Sequence, residues 1–306
     1  MKFVSYGPRG AERAGVLAGD SYVDLERLMQ ASGIASPTAD LKVFLNRADW
    51  KQLLPALNGA LSTQPTIAAG SVRLGAPIPR PGQVLLAGVN YRSHHKEVLD
   101  DAVPRRPVVL GKIANAVVGP YDDVVRPPEI LKLDYEGEVA VVIGRETRRV
   151  PRERVADHVA GYTVMNDISG RDLQLAEHET NPFFRMHYLG KSADTFAPLG
   201  PCLVTADELD LSMPFTIRTW VDDELRQDGD TSQLIFSIEE FISYVSTFVT
   251  LYPGDVISTG TPGGVAHYMQ PPRYLQHGQH VRVEVAGIGE LRNRVRDEIV
   301  AVAVAA

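Results

Sequence analysis

The chain has 306 residues, with 31 Lys and Arg against 38 Asp and Glu for a formal charge of -7. Its basic stretches, RRPVVLGK and RETRRVPRER, are short and interrupted, which argues against a nucleic-acid partner. Hydrophobic residues make up 44% and charged residues 23%, as in a globular enzyme with a sizeable core, and no apolar run reaches the about 18 residues of a membrane span.

Cys202 is the only cysteine. An internal disulfide and a thiolate metal cluster are therefore excluded, and a thiol between Pro201 and Leu203 reads as core filling. The start, MKFVSYGPRGAERAG, has no apolar h-region, so no secretory signal is read and a cytoplasmic protein is expected.

In chain order, MKFVSYG and RAGVLAGDSYVDLERLM predict short strands turning through AGD, then a helix from about Asp24. The segment ADLKVFLNRADWKQLLPALNGALS predicts at least one amphipathic helix before Gly59. Prolines and glycines in VRLGAPIPRPGQVLLAG mark an extended linker. A small α+β domain is expected over 1–75 and the main domain over 76–306.

Strands then dominate: QVLLAG, PVVLGK, EGEVAVVIG, VAGYTVMND, PCLVTA, FTIRTWVD, DVISTG and HVRVEVAGIGELRNRVRD. SIEEFISYVSTFVTL predicts a helix capped by Ser237, with Glu240 at the capping-box position. Regular β-helix-β alternation and a G-x-G-x-x-G motif are both missing. The expected class is mainly β with α, a closed or folded-over mixed sheet and not a doubly wound nucleotide fold.

The stretch DYEGEVAVVIG carries Asp134, Glu136 and Glu138 two residues apart in otherwise apolar text. In a strand all three face one way. An exposed edge strand could carry them for solubility, whereas a buried cluster would need a cation. Asp167, at the end of GYTVMND, could add a third carboxylate or cap the helix beginning around Gly170. Glu136, Glu138 and Asp167 would form an all-oxygen set suited to Mg2+ or Mn2+, with Ca2+ also acceptable and Zn2+ less favoured.

In GVNYRSHHKEV, His94 and Glu97 are three apart and share a helix face. A carboxylate beside an imidazole suits a general base, although a surface pair with no chemical task has the same spacing. In PGDVISTGTPGGV, Gly260 and Thr261 could offer N–H and hydroxyl groups to a carboxylate or oxyanion, or simply turn the chain. Lys191, in YLGKSADTFAPLGP, could stabilise an enolate or be a surface charge with a buried stem.

These stretches together, over roughly residues 84 to 297, are similar to the fumarylacetoacetate hydrolase family in its single-chain bacterial, acylpyruvate-hydrolase form. The resemblance implies a mixed β-sandwich or roll, usually assembled as a homodimer. It implies Glu136, Glu138 and Asp167 as metal ligands, Asp134 at the motif's start without a ligand role, and His94 and Glu97 as a dyad on a lid-like segment. Lys191 would stand near the metal, and Tyr91, Gln174, Gly260 and Thr261 would contact substrate.

The implied reaction is hydrolysis of the 3,4 carbon-carbon bond of a 2,4-dioxo acid, such as fumarylpyruvate or a 2,4-dioxo-3-deoxy sugar acid, giving pyruvate and a carboxylic acid. Oxaloacetate decarboxylation, isomerisation or hydration of a 2-hydroxy-dienoate on the same metal site is the enzymatic alternative, and a non-catalytic 2-oxo-acid-binding protein is the other. The sequence departs from the family's common text at Ala193, Ala197 and Leu234. It departs again in the long loop GVAHYMQPPRYLQHGQ, where His267, Tyr268, Met269 and Arg273 could line a pocket or decorate a surface.

Overall fold

The structure is a computed structural model that describes residues 1–98, 103–176, 181 and 185–300. Its backbone is one long mixed sheet with a second sheet laid against it. From one edge the long sheet runs Ile67–Ala68, Ser21–Asp24, Arg13–Ala18, Lys2–Tyr6, Ala197–Thr205, Val159–Asn166, Gly137–Ile143, Val256–Ser258, Val84–Gly88 and Val108–Lys112. The first strands of the chain thus join the central ones directly, with Lys2 opposite Val204 and Phe3 opposite Leu203.

The second sheet has the order Glu224–Asp230, Thr216–Val221, His280–Val285, Gly289–Asp297 and Val124–Arg126. Gly137 shows why the two can pack closely: a Cβ there would stand 2.2 Å from Thr219 Oγ1 and 2.9 Å from Val283 Cγ1. The mainly β class with a sandwich-like main region and a smaller α+β N-terminal region matches the expectation. No helix among the described residues is long and apolar enough to cross a membrane.

The expected helices form where local chemistry starts them. Asp24 caps Leu25–Ala31 by accepting the Arg27 N–H at 3.1 Å. Ser237 and Glu240 make a reciprocal capping box on Ile238–Phe248, at 3.2 and 2.8 Å. The segment 39–62 holds two helices, Leu41–Leu45 and Trp50–Ala60, the second running through Gly59 and not ending before it.

One strand reading changes, and one strand went unread. Asp134 to Gly144 is not one strand: Leu133–Asp134 pairs with Ser169–Gly170, and a separate strand begins at Gly137. At the break, Asn166 Oδ1 accepts the Glu136 N–H at 3.1 Å, so a side chain replaces a backbone partner. The polar strand Glu224–Asp230 carries no apolar alternation in its sequence, because it is an edge of the second sheet.

Candidate metal centre and acid–base pair

Glu136, Glu138 and Asp167 are all buried, with one ligand oxygen from each within 4.8 Å of the others. The strand Gly137–Ile143 carries Glu138. Asp167 is tied to Glu136 by its own N–H, which donates to the Glu136 carbonyl at 2.8 Å. Three buried cations answer the acids. Lys191 Nζ reaches Glu136 Oε2 at 2.9 Å and Asp167 Oδ2 at 2.5 Å. Arg171 reaches Glu136 Oε1 at 2.7 Å, and Lys112 Nζ lies 2.6 Å from Asp167 Oδ1. That last contact lacks hydrogen-bond alignment and leaves the oxygen without a hydrogen-bond partner.

The compensation is uneven. Burial alone would raise the Glu136 carboxyl, but Lys191 and then Arg171 outweigh it and hold it well below the usual range. Glu138 has only the Ser258 hydroxyl, and burial, with Asp167 and Glu136 repelling it, pushes its carboxyl well up. Burial also pulls the Lys112 ammonium down to about 8. Three buried carboxylates, one of them without a countercharge of its own, fit a hard divalent cation bound by oxygen ligands. The cluster is able to chelate such an ion.

Glu138→Gln keeps the Ser258 contact and removes the uncompensated charge. The variant is expected to lose Mn2+ binding in calorimetry while the metal-free fold gains about 1–3 kcal/mol. Because the folded Glu138 value is raised, its stabilising contribution is complete below the unfolded value and is lost as pH rises through the folded one. Metal-free wild type should therefore melt lower as pH rises above the ordinary 4.5, and that slope should flatten in the variant. An unchanged slope would show that Glu138 ionises freely in the fold.

The dyad sits on Arg92–Val98, where His94 is buried and Glu97 is partly exposed. His94 Nδ1 faces Glu97 Oε2 at 2.9 Å. A carboxylate can only accept, so this contact assigns the Nδ1 proton and leaves the Nε2 lone pair open. The helix is latched to the glycine turn: Gly264 N–H donates to Glu97 Oε1 at 2.7 Å and Gly263 N–H to Ser93 Oγ at 3.1 Å. Tyr268 stands edge-on to the His94 ring at 5.9 Å.

A pocket of about 270 Å³ joins these parts. Its lining includes His94, the three carboxylates, Lys191, Gln174 and Thr261, all singled out in the sequence. Glu97 stands behind His94. Tyr91 is fully buried, with its hydroxyl 3.4 Å from Thr259 Oγ1, and Gly260 holds the turn. Gly260 has φ +90°, and a Cβ there would stand 2.8 Å from the Ala87 carbonyl oxygen. The Thr261 hydroxyl donates to Gly137 O at 2.9 Å, so its one proton is already engaged.

The long loop divides. Tyr268 lines the pocket, His267 Nδ1 pairs with the Tyr274 hydroxyl at 2.8 Å, and Arg273 binds Glu224 on the surface. Sequence reasoning missed Arg171, Lys112 and Ser258. It also left Asp134 without an assigned task. The Asp134 carboxylate accepts the N–H groups of Tyr135 and Ala266 at 2.8 Å each and of His267 at 3.0 Å, and Arg171 Nε at 2.9 Å. It thereby pins the loop that presents Tyr268.

Comparison with known proteins places this site. Residues 83–296 match the family described as Fumarylacetoacetate (FAA) hydrolase C-terminal. The chain is 42% identical over 243 residues to oxaloacetate tautomerase FAHD2B, mitochondrial, of Bos taurus, covering 79% of this chain and 76% of that protein. It is 42% identical over 237 residues to the human FAHD2A protein of the same description, covering 77% and 74%. Among solved structures, the maleylpyruvate hydrolase of Sphingobium sp. SYK-6, in complex with manganese (II) ion and pyruvate, has 29% identity and a TM-score of 0.77, covering 98% of this chain and 100% of that one.

The cytoplasmic expectation is overturned by these relatives, which are mitochondrial by name. The missing apolar h-region bore only on secretion, since a mitochondrial transit segment is amphipathic and needs no apolar run. With the match spanning the carboxylate cluster, the dyad and the glycine turn, the chain belongs to the fumarylacetoacetate hydrolase family.

Proposed function

We propose that the protein is a metal-assisted 2-oxo-acid tautomerase or isomerase, with keto–enol conversion of oxaloacetate as the first reaction to test. The observation that carries this reading is the His94 imidazole, oriented by Glu97 and open at Nε2, on the wall of the pocket that holds the carboxylate cluster. The relatives named oxaloacetate tautomerase, at 42% identity, support it. So does a solved structure 34% identical, described as a probable 2-hydroxyhepta-2,4-diene-1,7-dioate isomerase from Mycobacterium abscessus.

Glu136, Glu138 and Asp167 would hold a divalent cation, Mg2+ or Mn2+, which supplies polarisation of a 2-oxo group. His94 Nε2 takes the proton from the carbon next to that group, and the same imidazole returns a proton to the 2-oxygen. Glu97 stabilises the imidazolium formed between the two transfers. Lys191 adds positive potential on the side where the enolate charge grows. The Gly263 and Gly264 contacts keep the helix bearing His94 seated over the pocket, away from bulk water.

Carbon-carbon hydrolysis of a 2,4-dioxo acid is the second reading. The same dyad can take a proton from water, and Val98, Val108 and Leu110 extend the pocket with room for an acyl group. A homodimer belongs to the proposal: among the described residues Val108–Lys112 is the last strand of the long sheet, and it carries exposed Val108 and Val109.

Decay of the oxaloacetate enol absorbance, with an acylpyruvate run alongside, tests the assignment. Faster enol decay, lost in EDTA and restored by Mn2+, is the expected result. Acylpyruvate cleavage without an effect on oxaloacetate would install the hydrolytic reading, and inertness towards both would sink the two together.

A further inference from the structure

We propose that His187 determines specificity at this site by receiving the second carboxylate of a 2-oxo dicarboxylic acid, an assignment that rests on the 2-oxo-acid reading above. The pocket is two-sided. Its lining sets the carboxylate cluster beside apolar side chains, Leu86, Val98, Val108, Leu110 and Leu175. A carboxylate entering an apolar wall needs a donor there.

The other basic side chains of the lining are committed. Arg171 holds Asp134, Glu136 and Gln174, and Lys191 holds Glu136, Asp167 and Ser169. His94 is backed by the Glu97 carboxylate, whose charge repels a second anion. His187 remains: it lines the pocket and makes no hydrogen bond or ion pair among the described residues.

His187 opens the short helix His187–Gly190, which packs on Arg171–Leu175 and on Val108–Lys112, the elements that supply Leu175, Val108 and Leu110. Burial first, then repulsion by Arg185 and Lys191, holds its imidazole below the ordinary value. The free ring is thus a neutral N–H donor beside apolar walls, with Arg185 a positive neighbour, and an arriving carboxylate gains the N–H.

The test is ligand binding to the Mn2+-loaded protein by calorimetry, with two stable probes of equal length. Malate carries the second carboxylate, and 2-hydroxybutanoate ends in a methyl group instead. Wild type is expected to prefer malate. His187→Leu should weaken malate about tenfold and leave 2-hydroxybutanoate unchanged, while His187→Gln, which keeps a donor, should retain most of the preference. Tyr268→Phe should leave the preference intact.

Equal losses for the two probes, no loss, or a preference abolished by Tyr268→Phe instead would overturn the assignment. His187 is exposed, so neither substitution threatens the fold. Binding is read without turnover, so a protein inert on oxaloacetate can still show the His187-dependent preference, and an active tautomerase can still lack it.

Discussion

His94→Ala is expected to lower kcat for oxaloacetate enolisation by roughly a hundredfold to ten-thousandfold and to leave Mn2+ affinity unchanged. The two readouts separate because the imidazole and the carboxylate cluster share a pocket without sharing a direct hydrogen bond. Glu97→Gln should reproduce part of the loss, since an amide still fills the space beside Nδ1 but cannot stabilise the imidazolium. It also keeps an oxygen for the Gly264 N–H, which Glu97→Ala would not. Stopped-flow enol decay and Mn2+ calorimetry on the same preparations decide the matter. A His94→Ala enzyme with wild-type turnover would remove His94 from the proton path.

How far this site could be read in advance depended on how local its causes are. Glu136 and Glu138 stood out as acids two apart in apolar text, and the family resemblance, not the spacing, decided against an exposed edge strand. Asp167 was legible as the acid ending the neighbouring strand, and the structure sets its N–H on the Glu136 carbonyl. The His94 and Glu97 spacing was legible from helix geometry alone.

Other groups are defined only by distant partners. Lys112 ends an apolar strand and shows no acid nearby in sequence, yet it lies against Asp167. Ser258 gains its meaning from Glu138, 120 positions away. The edge strand Glu224–Asp230 escaped because a strand covered on one side only need not alternate. The interruption at residues 135–136 escaped because the Asn166 side chain, not a turn signal, replaces the backbone partner.

Asp134 shows the same limit at the greatest cost, and it supports the largest stability prediction. Its carboxylate has no solvent exposure and takes four donors, two of them from the loop at Ala266 and His267. Asp134→Ala deprives Arg171 of one of its two acids and removes the carboxylate that accepts the Tyr135, Ala266 and His267 amides. Breaking a buried ion pair from one side costs about 3–5 kcal/mol, which for a chain of this size lowers Tm by roughly 5–8 °C. Asp134→Asn keeps oxygen and shape but not charge, so its loss should be smaller.

Because the same loop presents Tyr268 to His94, the damage should also be local. Amide exchange over 264–268 should quicken in Asp134→Ala even well below its melting temperature, while the Gly137–Ile143 strand stays protected. If Tm fell without faster exchange in that loop, Asp134 would be a general core anchor. If neither changed, Arg171 and the loop amides would have to find other partners, and the link from Asp134 to Tyr268 would fail.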